Sequence, residues 1–116
     1  MSISILQPED LDVSITLPHG LLRAVEQNLV NLTPWHIMPR DLARKRLQGL
    51  RQRYGRKYVP FARRQDSDDL AVTVPGDPER IIVIHDFADE GTEVVAEFCS
   101  FWDWFRAAVE DMVEFD

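Results

Sequence analysis

The sequence has one cysteine, Cys99, so no internal disulfide can form, and with only three histidines beside it there is no Cys/His set at the spacing of a structural zinc site. The compartment this implies is the reducing cytoplasm, with a hydrophobic core that holds the fold unaided. Long apolar runs are also missing. The longest, Ile81-Ile82-Val83-Ile84, is four residues, against the roughly 20 that span a bilayer. The stretch MSISILQPEDLDVSITLPHG lacks the basic start and apolar run of a secretory signal. All five glycines are isolated, so there is neither a phosphate-cradling loop nor a dinucleotide fingerprint, and the Gly-x-Ser-x-Gly elbow of a serine hydrolase is absent too. No motif implies a cofactor. With no repeat, low-complexity tract or Gly/Ser linker, residues 1–116 are expected to form one domain.

What is present is a soluble composition: 45% hydrophobic and 28% charged residues, with a formal charge of -7. That sign argues against a surface that coats nucleic acid or anionic lipid. The net value conceals a segregation. Residues 1–39 carry four acids against Arg23, a local charge of -3. Residues 40–64 carry ten basic side chains against Asp41 alone, a local charge of +9. Residues 65–116 carry fifteen acids against Arg80 and Arg106, a local charge of -13. Two readings stand open: a bipolar surface that steers encounters with charged partners, or pairing of the two halves within one folded chain.

The periodicity predicts an α+β domain: two N-terminal helices, a four-stranded antiparallel meander, and a C-terminal helix packed on the sheet, with the helices covering one sheet face. Leu21, Leu22, Val25 and Leu29 recur at helical spacing in residues 17–29, and Asn31-Leu32-Thr33-Pro34-Trp35 breaks that helix. A second helix runs from Pro39 to Tyr54, with Leu42, Leu47, Leu50 and Tyr54 near one stripe, Arg and Lys elsewhere, and Gly55 as its stop. From Lys57 the period falls to 2. Residues 58–64 read as a strand that Pro60 confines to an edge or a bulge, because proline cannot donate to the ladder. Leu70, Val72 and Val74 mark the next strand. Residues 80–86 are apolar on both faces, as a central strand is, and residues 92–98 form the fourth. Ser100, three residues before Asp103, caps the last helix, in which Phe101, Phe105, Ala108 and Met112 form the expected stripe. Trp102 and Trp104 lie off that stripe, so one of them is either core or partner-facing. Gly20, Gly55, Gly76 and Gly91 read as punctuation, and Cys99, between Phe98 and Phe101, as a buried thiol.

Three constellations can carry chemistry. Asp66, Asp68 and Asp69 put three carboxylates in four residues, but the calcium-loop pattern fails. No glycine follows them and Asp77 stands at the twelfth position, so a turn with Arg63 and Arg64 pairing the acids is the expected reading. His85-Asp86 with Asp89-Glu90 resembles an acid/base cluster, but adjacent strand residues point to opposite faces and make no natural dyad. His19 and His36 have no partners at metal-ligand spacing.

Four segments resemble the SUKH superfamily, which includes the Smi/Knr cell-wall-assembly regulators of fungi and many bacterial immunity proteins. They are Tyr58-Val59-Pro60-Phe61-Ala62, the acidic turn Asp66-Ser67-Asp68-Asp69 feeding Leu70-Ala71-Val72, Ile81-Ile82-Val83-Ile84-His85-Asp86, and Phe98-Cys99-Ser100-Phe101-Trp102-Asp103-Trp104-Phe105. Residues 57–110 follow the pattern, with Asp68-Asp69 in place of its Gly-Asp and without its Asn-Gly-Gly loop. The resemblance implies an α+β fold without catalysis that acts by protein binding, commonly by neutralising toxins that are often nucleases or deaminases. A nuclease inhibitor can fill a basic substrate groove by mimicking phosphate charge. The residues expected to do so are Asp66, Asp68, Asp69, Asp86, Asp89 and Glu90, with Arg63 and Arg64 shaping the same sheet end. The alternatives are a solitary regulatory adaptor or scaffold, a nucleic-acid-linked regulator using Arg40, Arg44, Lys45 and Arg51 of helix 39–54, and a small enzyme using His85 with a carboxylate. Monomer and homodimer both stay open.

Overall fold

The computed structural model describes residues 4–11 and 16–115. After a 3-10 turn at Pro8–Asp10 come α1 (His19–Glu26), β1 (Asn31–Leu32), β2 (Trp35–Ile37), α2 (Arg40–Tyr54), β3 (Val59–Arg64), β4 (Asp69–Val74), β5 (Asp77–His85), β6 (Val94–Phe98) and α3 (Phe101–Glu114). The strands form one antiparallel sheet in the order β1-β2-β3-β4-β5-β6. The α+β class and the meander hold, but the sheet has six strands where four were expected. The segment expected only to break the chain is itself a hairpin: Leu32 faces Trp35, and Trp35 faces Arg64 of β3. Strands of two and three residues are too short to display a period of 2. No helix among the described residues is long and apolar enough to cross a membrane.

The helices do not share one face. α1 and α3 lie over one side of the sheet and α2 over the other. Leu70, Val72, Ile82 and Ile84 pack with Leu50 and Tyr54 of α2. Ala71, Ile81 and Val83, the alternate positions of the same strands, pack with Phe101 and Trp104 of α3 and Leu21 of α1. A strand apolar on both faces is what two covered faces require. Pro60 sits at a bulge and not at an edge: Pro60 faces Val72 and Ala62 faces Ala71, so Phe61 is the extra residue of an interior strand. The bulge lets consecutive Phe61 and Ala62 both join the core under α3.

α2 starts after Pro39 and ends at Gly55, which takes φ 70°. The Ser100 side chain accepts a bond from the Asp103 N–H at 3.2 Å, which caps α3 as expected. The buried stripe of α3 is Phe101, Trp104 and Ala108, however, while Met112 is exposed. Trp104 is the keystone of that face, edge-on to Trp35 at 5.6 Å and to Phe61 at 5.0 Å between ring centroids. Trp102 is half-buried beside it and stacks edge-on against Phe101 and Phe105. Gly20 is no punctuation mark. It lies inside α1, where a Cβ would stand 2.6 Å from the Phe101 ring, so its missing side chain is what lets α1 and α3 touch. Cys99 is exposed, because it lies in the two-residue link from β6 to α3 outside both layers.

Candidate functional site

A meander alternates its connections between two ends. The β1–β2 turn, the β3–β4 turn and the β5–β6 loop therefore emerge together, and they are tied there by Gln65 N–H to Pro34 O at 2.8 Å and Asp86 N–H to Asp68 O at 3.0 Å. This end gathers Arg63, Arg64, Asp66, Asp68, Asp69, Asp86, Asp89 and Glu90, the eight residues singled out from the sequence.

Their environments differ sharply. Arg64 donates to Asp66 at 2.7 Å and to Asp111 of α3 at 3.2 Å, and Asp111 also accepts from the Trp35 indole at 3.0 Å. The guanidinium holds the Asp66 carboxyl below the usual carboxylate range. The Asp69 N–H donates to the Ser67 hydroxyl, and Asp69 Oδ1 lies 2.8 Å from His85 Nδ1 on the facing strand. His85 thus pairs across strands with Asp69, while Asp86 turns to the opposite side, under α2. Arg63 is half-buried on β3, and Asp68, Asp89 and Glu90 are exposed, Glu90 3.7 Å from Lys57.

Asp86 is not on the surface. Its side chain is fully buried and receives Arg53 in a two-pronged grip at 2.7 and 2.6 Å, Arg46 at 3.0 Å, and the Phe87 N–H at 2.8 Å. It anchors the loop and has no face left for a partner. Arg46, Leu50 and Arg53 follow at i, i+4 and i+7, so the two arginines flank the apolar stripe of α2 and reach the same carboxylate. Gly49 belongs to this arrangement. A Cβ there would meet Arg53 Nη2 at 2.7 Å, so a residue that costs a helix about 1 kcal/mol relative to alanine makes room for the grip.

Above the triad the loop presents Phe87, 61% exposed and with φ 71°, a left-handed conformation unusual for a bulky residue. The Arg53 guanidinium carbon lies 4.1 Å from its ring centroid and that of Arg46 5.9 Å. The Tyr54 hydroxyl donates to Ala88 O at 2.7 Å. At the far end of the loop Glu93 is buried, accepting from the Gly91 N–H at 2.6 Å and from the Tyr58 hydroxyl. The Tyr58 bond holds the Glu93 carboxyl below its ordinary value, while burial, then Glu93, pushes the Tyr58 phenol well above 10.

Arg40 at the start of α2 donates to Asp10 at 2.9 Å and to Glu9 at 3.1 Å, and Arg44 lies 3.4 Å from Asp10. Hydrogen bonding to Arg40 holds the Asp10 carboxyl below its ordinary value. Of the cations considered for nucleic acid, these two are engaged within the chain, and Arg51 also has a partner. The basic segment is thus engaged in part within the chain, Arg40 and Arg44 with Glu9 and Asp10 and Arg46, Arg53, Lys57 and Arg64 with acids of residues 65–116, while exposed acids remain at the sheet end and elsewhere. Among the described residues no group of three histidine, cysteine or acidic side chains is placed to hold a metal ion.

Sequence reasoning missed Phe87, Arg46, Arg53, Tyr58, Glu93 and Asp111. The lone aromatic inside the acidic run His85-Asp86-Phe87-Ala88-Asp89-Glu90, and the seven-residue spacing of Arg46 and Arg53, were the available signals. In comparisons with known proteins the chain matches no family model, and no curated protein or solved structure matches it.

Proposed function

We propose that the chain is a non-catalytic, SUKH-like protein-binding domain of the cytoplasm, and that it binds and neutralises a bacterial toxin domain, such as a nuclease, with the sheet end built from the β3–β4 turn and the β5–β6 loop. The observation that supports this reading is Phe87. An exposed aromatic in a left-handed conformation, fixed from below by a buried carboxylate and two guanidiniums, is an anchor whose ordering cost is met before any partner arrives. Asp68, Asp89 and Glu90 add exposed negative charge from the same turn and loop, which complements a basic substrate groove, while Arg64, Asp66 and Asp69 lie on the α3 side of this sheet end and Arg63 is half-buried on β3. Asp86 serves the surface from beneath, as the positioning residue of the loop.

The test is co-expression and co-purification with the toxin domains encoded beside its gene. Rescue of growth and a stable complex that Phe87→Ala weakens at least tenfold are the expected results. Failure to rescue from, or to bind, every one of those toxins overturns the reading, and a stable complex with a non-toxin protein alone replaces it with the adaptor.

A further inference from the structure

The two long helices cover the sheet from opposite sides and carry opposite charge outward. α2 has six basic side chains against Asp41 alone. Arg46 and Arg53 turn in to Asp86, and Arg40 to Asp10. Lys45, Gln48 and Gln52 follow at i, i+3 and i+7 as an exposed row without an acid, and Arg44 beside it keeps its side chain 55% exposed. α3 has four acids against Arg106 alone, and that arginine bonds back to Asp103 at 3.3 Å. Glu110 and Glu114 lie exposed on its last two turns.

The C-terminal half of α3 works against its own backbone. Unpaired carbonyls give a helix C-terminus a partial negative charge that lysine, arginine or histidine normally offsets, yet the last turn of α3 holds no basic residue and ends at Glu114. Beside the two glutamates Met112 and Val113 stand 38% and 71% exposed. Long cationic side chains complement such a surface, because their alkyl stems cover the apolar atoms while their heads meet the carboxylates. Arg44 and Lys45 present such side chains from the outer side of α2.

We infer that the chain associates with itself head to tail, the outer row of α2 in one copy lying on the C-terminal half of α3 in the next. The two faces are on opposite sides of the sheet, so a copy cannot engage both with the same neighbour. The assembly is therefore a ring or an open string, and a closed two-fold pair is excluded. Charge selects the orientation. At a net charge of -7 two copies repel as wholes, and laying the basic row on the acidic helix reverses that sign at the contact. The inference goes beyond the partner-binding reading above and does not depend on Phe87.

The test is sedimentation velocity of the full chain over rising concentration at low and at high salt. It is repeated with Lys45→Glu/Gln52→Glu on α2 and with Glu110→Lys/Glu114→Lys on α3, all four positions being exposed. Expected are association of the parent chain at low salt that does not stop at two copies, its loss at high salt, and weakening of about tenfold or more in each double variant alone. Mixing the two variants should restore association, since each keeps the unaltered face that the other lacks. Phe87→Ala is expected to associate as the parent does. A parent chain that stays monomeric at low salt, an assembly that ends at two copies, association that survives high salt or either double variant, or a mixture no better than its components each overturns the inference. So does a monomeric chain that binds a mixed-sequence oligonucleotide and loses it in Lys45→Glu/Gln52→Glu, a result that makes nucleic acid the occupant of α2.

Discussion

The β3–β4 turn and the β5–β6 loop stand side by side at one end of the sheet, both rich in carboxylates, and they are held by opposite means. In the turn, Asp66 pairs with Arg64 two residues away in water-exposed surroundings. In the loop, Asp86 and Glu93 are buried, and their partners come from 33 to 40 residues earlier in the chain. Residue type therefore says little about the energetic role of an acid. An exposed pair contributes about 0–1 kcal/mol. A buried carboxylate that has lost its solvation depends wholly on its donors, so breaking such a pair costs about 3–5 kcal/mol.

The contrast can be broken most forcefully at Asp86. Asp86→Ala leaves the Arg46 and Arg53 guanidiniums facing each other without a counter-ion, and we expect a loss of about 3–5 kcal/mol in urea unfolding. Tyr58→Phe removes one donor from Glu93 and is expected to cost about 1–3 kcal/mol in the same measurement. It also has a pH signature. The folded-state carboxyl of Glu93 is lowered, so its contribution is present above the ordinary value of 4.5 and is lost as pH falls through the lower folded value. The Tyr58 phenol is raised, so its contribution is present below 10 and is lost as pH rises toward the higher folded value. Thermal melts across pH should fall at both extremes for the parent chain and more shallowly for Tyr58→Phe. Asp66→Ala, in the turn, should barely move the urea midpoint, and high salt should remove what difference there is. The smallest stability effect is expected from Phe87→Gly. Relief of the left-handed backbone and loss of the contact with Arg53 are each worth about 0.5–1 kcal/mol and oppose one another, so urea unfolding should barely shift while partner affinity falls.

The same contrast explains how far the sequence could be read. β3 to β6, α2 and the Ser100 cap rest on local periodicity and local hydrogen bonds, which any window of the chain carries, and they were legible. The gathering of the acidic residues at one end follows from short connections in a meander and was legible too. β1 and β2 were not, since their identity as strands is conferred by Arg63, Arg64 and Ala62 across the sheet. Nor was the burial of Trp104 in preference to Phe105, which depends on the position of Trp35 and Phe61 beneath α3. Asp86 looked like the surface acids around it because nothing within its own turn reveals that α2 brings two arginines over it.

The Trp35 indole and Asp111 close one face of the sheet across 76 residues of sequence. Synthesis delivers the hairpins first and α3 last, so Trp35 and Phe61 must wait without a lid until residues 101–111 have left the ribosome. The interval from the first strand to that helix is the period in which this chain is most exposed to aggregation and most in need of a chaperone. A stop anywhere before Phe101 leaves α1 alone over the Trp35 and Phe61 side of the sheet, so α3 decides whether that face is closed to water.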